Sequence, residues 1–160
     1  MPALCIVDMQ PSFTAYLNAS SAVVKQVELF KKYNRPIIVV EFAGSGTTVS
    51  AVANLLKDYK KTVTVFKHSC DGSTQTSEML KKDYKKIKRV VVCGVNTCAC
   101  VSATAIGLAH LGYKVTVNGK GSSCGCGDWY NKDDPHRCLR TVRENVKKAM
   151  EKHNAGAVHS

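Results

Sequence analysis

The chain has 160 residues, 44% of them hydrophobic, which is enough for one domain with its own core and argues against a cross-linked miniprotein. Its formal charge of +11 gathers in Lys57–Lys61, Lys81–Arg89 and the last predicted helix. Solvated helix faces account for that charge, and no RNA-binding aromatic motif accompanies it, so a nucleic-acid partner is not the expectation. No apolar run reaches membrane-spanning length, and MPALCIVDMQ has neither a leading basic segment nor a cleavage pattern, so no membrane span or signal peptide is expected. The expected setting is cytoplasmic, with the eight cysteines as reduced thiols.

In chain order, ALCIVDM (Ala3–Met9) is a continuous apolar run of the kind that forms a strand buried on both faces. A helix follows, with Val23, Val27 and Phe30 at helical spacing. RPIIVVEF (Arg35–Phe42) is a second buried strand, VSAVANLLKDY a helix, and the β-branched TVTVFKH (Thr62–His68) a third strand. QTSEMLKKDYKK reads as a helix and RVVVCGV (Arg89–Val95) as a fourth strand. TCACVSATAIGLAHLG is a helix closed by Gly112, and YKVTVNG a fifth strand. The last helix starts at Asp134 as N-cap and Pro135, with Leu139, Val142, Val146 and Met150 as its buried stripe. AGAVHS is expected to add a short sixth edge strand. Strand and helix alternate without linker or repeat, which predicts one domain over residues 1–160: a three-layer α/β/α sandwich on a parallel sheet.

In an open parallel sheet, ligands bind beyond the carboxyl ends of the strands. Asp8 ends the first strand, Lys67 ends the third, and Cys98 and Cys100 begin the helix after the fourth. An acid, a base and a thiol are thus expected at one sheet edge. With Thr97 as N-cap, the free amides and dipole of a helix start would lower a thiol's pKa and could bind an oxyanion. Spacing alone does not choose between Cys98 and Cys100.

Three segments, CIVDMQPSF, VTVFKHSCDGS and GVNTCACVSATA, resemble the signature segments of the isochorismatase-like cysteine hydrolases, in order and over nearly the whole chain. The resemblance implies a Rossmann-like strand order 3-2-1-4-5-6 and an Asp8, Lys67, Cys100 catalytic set, with Cys100 the nucleophile because the family's Gly-x-x-Thr-x-x-Cys-Val pattern falls on Gly94, Thr97, Cys100 and Val101. It also implies an oxyanion hole from the backbone N–H groups of Asn96 and Cys100, a non-proline cis peptide between Val95 and Asn96, and Phe13 and Thr97 beside the substrate. The implied activity is hydrolysis of a C–N bond in a small amide or ureido compound through a thioester, by a homo-oligomer that needs no cofactor. Two alternatives stay open: a catalytically silent relative with a binding or scaffolding role, and a basic nucleic-acid binder.

Where nicotinamidases carry an Asp-x-His metal motif, this chain has VVEFAGSG, with Glu41 and no histidine, so no catalytic metal is expected there. In the tail, Cys124, Cys126, His136 and Cys138 have soft-ligand side chains at a spacing suited to zinc, but a glycine-rich loop and helix start explain them as well, and the expectation is no metal. Trp129 and Tyr130 could reach over the pocket or meet a second subunit.

Overall fold

The computed structural model describes residues 1–125 and 136–158. Asp134, Pro135, Cys126, Trp129 and Tyr130 lie outside the described residues. The elements run β1 (Pro2–Val7), α1 (Tyr16–Lys32), β2 (Ile37–Phe42), α2 (Ser50–Leu56), β3 (Thr62–Lys67), α3 (Ser73–Asp83), β4 (Arg89–Val95), a π-type turn (Thr97–Val101), α4 (Ser102–His110), β5 (Lys114–Ser123) and α5 (Arg137–Val158). Five parallel strands form one sheet in the order β3-β2-β1-β4-β5.

The period of two along each strand divides the core. Ala3, Cys5 and Val7 of β1, with Ile38 and Val40 of β2, face Leu80 of α3, Ala105 and Leu108 of α4, and Val142 and Val146 of α5. Leu4 and Ile6, with Ile37 and Val39, face Val23, Val27 and Phe30 of α1 and Val52 and Leu56 of α2. Residues 3–7 of β1 are therefore wholly buried, which is why this stretch is apolar without alternation. Each such aliphatic side chain contributes about 1.5–3 kcal/mol through burial.

Chain direction across the sheet reverses beside β1: β2 and β3 lie on one side of it, β4 and β5 on the other. The crevice at such a switch point opens at the carboxyl ends of β1 and β4, next to Asp8 and the π-turn. Close packing here depends on Gly94, whose φ is +118° and where a Cβ would stand 2.0 Å from the carbonyl oxygen of Val7.

Two expectations need correction. No sixth strand forms among the described residues: α5 runs on through Ala155–Val158. Ala155 and Ala157 favour helix, and Val158 is the lone β-branched residue of that segment. Further, β5 is longer than YKVTVNG. It pairs Val117 with Val92, then Ser122 with Gly94 and Ser123 with Val95, so Asn118–Gly121 bulges against the single residue Cys93. The Asn118 side chain accepts from the Gly121 N–H at 2.8 Å and closes the bulge. Among the described residues, no helix is long and apolar enough to cross a membrane.

Candidate active site

β1 ends in a sharp change of direction. Asp8 takes φ +50°, and its N–H donates to the Val40 carbonyl at 2.9 Å, which keeps the residue in register with β2. β3 ends in Lys67, two strands away, and its stem crosses over β2 to reach the same point. Gly72 makes room for that stem, since a Cβ there would meet Val40 Cγ1 at 2.7 Å and Lys67 Cδ at 3.2 Å. Lys67 Nζ meets Asp8 Oδ2 at 2.9 Å, with 0% and 1% of the side chains exposed. Nζ also donates to the Ser69 carbonyl at 3.0 Å and lies 4.4 Å from the centre of the Phe42 ring.

The third member comes from the π-turn. The Val95–Asn96 peptide is cis, as the resemblance implies. Asn96, extended at φ −88° and ψ 143°, precedes the turn, and its carbonyl accepts from Ala99 at 3.1 Å and from Val101 at 3.2 Å, the amides on either side of Cys100. Asn96 thus occupies the cap position expected for Thr97; Thr97 is buried inside the turn, and no side-chain cap bond is made. Cys100 is buried, and the Asp8 carboxylate is close enough to act on its thiol. Among the described residues neither Asp8 oxygen has a hydrogen-bond partner, and Lys67 is the ion-pair partner of the carboxylate.

The electrostatics run against the expectation of an acidic thiol. Burial first, then the Asp8 carboxylate beside it, push Cys100 up to about 12, and Lys67 opposes them only in part. Asp8 is also raised above the ordinary carboxylate range by burial, against the lowering influence of Cys100 and Lys67. A solvated helix start lowers a thiol's pKa, whereas burial beside a carboxylate pushes it the other way.

Cys98 takes the other side of the turn. It is exposed, and its Sγ lies 2.6 Å from that of Cys124, beyond the end of β5. Its thiol too is raised, by partial burial and then by Cys138. Cys124 is disulfide-bonded, contrary to the expectation of reduced thiols throughout.

Phe13 is half-buried and packs edge-on against Phe42, with centroids 6.3 Å apart at 61°. Glu41 is turned inward, and its Oε1 accepts from the Thr48 N–H and hydroxyl, both at 2.7 Å, so that oxygen is already committed to the loop. His136 is exposed, just before α5. Two contributors escaped the sequence reading. Gln10 is fully buried and binds the backbone of Phe42 and Gly46, tying β1's exit to β2's. Phe42 supplies the aromatic face over Lys67. A glutamine inside an apolar run, and an aromatic ending a buried strand, were the available signals.

Residues 2–134 match the family model for the isochorismatase domain. The chain is 31% identical over 121 residues to isochorismatase domain-containing protein 2 of Xenopus laevis, covering 71% of this chain and 56% of that protein, so it spans little more than half the length of that relative. The fold superposes on the nicotinamidase of Staphylococcus aureus with a TM-score of 0.75 at 22% identity, covering 91% of this chain and 96% of that one. N-carbamoylsarcosine amidase of Thermoplasma acidophilum matches with a TM-score of 0.68 at 18% identity, covering 85% and 91%. With its five-stranded parallel sheet and a family model matched from β1 past the end of β5, the chain belongs to the isochorismatase domain family.

Proposed function

We propose that this protein is a cysteine hydrolase that cleaves a C–N bond in a small amide or ureido compound, with Cys100 as nucleophile, Asp8 as proton carrier and Lys67 as the group that holds Asp8. The observation that carries the reading is the buried Asp8–Lys67 pair at 2.9 Å with the buried Cys100 thiol beside the same carboxylate. A purely structural ion pair has no need of a thiol at its acidic end, and a charge this deep is costly unless something uses it.

The proton bookkeeping follows from the resting state. Because the thiol sits far above neutral, it does not wait as thiolate. Its sulfur attacks the substrate carbonyl carbon as Asp8 takes the proton, which is general-base catalysis. The N–H groups of Asn96 and Cys100 receive the oxyanion. Protonated Asp8 then gives its proton to the leaving nitrogen, the C–N bond breaks, and a thioester remains on Cys100. Water attacks the thioester while Asp8 accepts its proton; the sulfur leaves and recovers that proton from Asp8. The sum is amide plus water to acid plus amine, with the enzyme unchanged. Lys67 stays beside Asp8 throughout, lowering the cost of its carboxylate.

Phe13, Phe42 and Thr97 are proposed to line the substrate side of this site. A single domain, homo-oligomerisation and a cytoplasmic setting belong to the same reading. The test is a panel of small amides and ureido compounds assayed by ammonia and acid release. Turnover that vanishes in Cys100→Ser and Asp8→Asn supports it; release that persists in both variants contradicts it.

A further inference from the structure

The π-turn has a second sulfur-bearing side. The Sγ atoms of Cys98, Cys124 and Cys138 all lie within 4.8 Å of one another, the one group of three potential metal ligands among the described residues. They come from three elements: Cys98 from the turn after β4, Cys124 from the end of β5, and Cys138 from the first turn of α5. The β5 bulge is what brings them together. By shifting the pairing so that Ser123 stands opposite Val95, it delivers Cys124 beside the start of the turn. A second tie fixes the approach, since the Gly125 N–H donates to Asn96 Oδ1 at 2.9 Å. The sequence grouping of Cys124, Cys126, His136 and Cys138 lacked Cys98, which stands 26 residues away from Cys124 and meets it only in the fold.

We propose that in the reduced chain Cys98, Cys124 and Cys138 form a thiolate site for a thiophilic metal ion, zinc first, which fastens the end of β5 and the start of α5 to the turn that carries Cys100. Cys124 is disulfide-bonded in this structure, so the proposal concerns the chain after that bond is reduced. Zinc–sulfur bonds of about 2.3 Å in tetrahedral array place sulfurs about 3.8 Å apart. The cluster spans that separation, and Cys98 and Cys124, now at 2.6 Å, would part by about 1 Å to take an ion between them. Cys124 and Cys138 line a groove of about 690 Å³ together with Thr97, Ser122 and His136. Three thiols packed this closely cannot all ionise without a cation between them, and a bound dication removes that obstacle. The site is separate from Asp8 and Lys67, and it stands whether or not the hydrolase reading does.

The experiment uses the full chain, reduced with a phosphine and stripped with a chelator, then titrated with cobalt(II) and back-titrated with zinc(II). The expected result is an endpoint near one ion per chain, with the thiolate-to-cobalt charge-transfer absorption and strong visible bands of a tetrahedral site, both lost when zinc displaces cobalt. Cys98→Ser and Cys138→Ser should each weaken binding by about tenfold or more, while Cys70→Ser, exposed elsewhere, should not. Alkylation mapping of the wild-type chain serves if a variant fails to fold: zinc should protect Cys98, Cys124 and Cys138 and leave Cys70 reactive. Absence of thiolate bands, an endpoint far below one, equal weakening in Cys70→Ser, or no zinc protection of the three cysteines overturns the proposal.

Discussion

Cys98 and Cys100 are two residues apart in one short turn and live in different chemical worlds. Cys100 is buried against a carboxylate whose charge a lysine compensates. Cys98 is exposed and faces two other sulfurs. The difference arises from the backbone, not from the residue type: neighbours two apart on a helical turn do not share a face. One face of this turn points to the crevice at the ends of β1 and β4, the other to the bulged end of β5. Reactivity is therefore assigned by what each side of the turn meets.

The sharpest way to break this contrast is by activity. Cys100→Ser should lower turnover by about a thousandfold or more, since a hydroxyl is far harder to deprotonate than a thiol, whereas Cys98→Ser should cost about tenfold or less through a loosened turn. Steady-state rates on any substrate from the amide panel decide it, and a larger loss in Cys98→Ser would reverse the assignment.

Next in size is the ion pair under Cys100. Removing either partner leaves a buried charge alone, so Asp8→Ala and Lys67→Ala should each destabilise by about 3–5 kcal/mol. The double variant should lose much less than the sum, read from urea midpoints in a double-mutant cycle. Additive losses would mean that the two groups do not depend on each other.

Gly94→Ala should cost about 1–3 kcal/mol, because the new Cβ would strike the Val7 carbonyl at a backbone angle suited to glycine. Thermal unfolding measures it, and an unchanged midpoint would show that β1 and β4 can part without penalty.

The smallest effect is in pH. Asp8 must be ionised to take the thiol proton, and its pKa is raised, so activity should fall on acidification at a higher pH than an exposed aspartate would set. For stability the sign is opposite. A raised carboxyl pKa contributes stability fully below the ordinary value of 3.8, and that contribution is lost as pH rises through the folded value. Cys100 alkylation should keep accelerating toward about pH 12. A plateau near neutral pH would show an acidic thiol and remove the need for Asp8 as base.

The parallel sheet was legible because β1, β2 and β4 are continuous apolar runs separated by helices, and only burial on both faces makes such runs. Asp8, Lys67 and Cys100 were legible as strand-end and turn residues. The family pattern, not spacing, separated Cys100 from Cys98. The upward push on the thiol was not legible, because a sequence shows a helix start but not how deeply its sulfur is buried. The β5 bulge was hidden in GKGSS, whose glycines and polar residues fit a loop as well as a strand. Its consequence, the meeting of Cys98 with Cys124, was hidden with it. AGAVHS misled because it holds a lone β-branched residue, while its alanines let α5 run on.

The most direct test of the central claim is acyl-enzyme trapping. The chain is mixed with an amide or ureido substrate, quenched in acid within one turnover, and mapped by peptide mass. The acyl mass is expected on the Cys100 thiol, released by hydroxylamine and absent from Cys100→Ser. An acyl group found on Cys98, or turnover undiminished in Cys100→Ser, would contradict it.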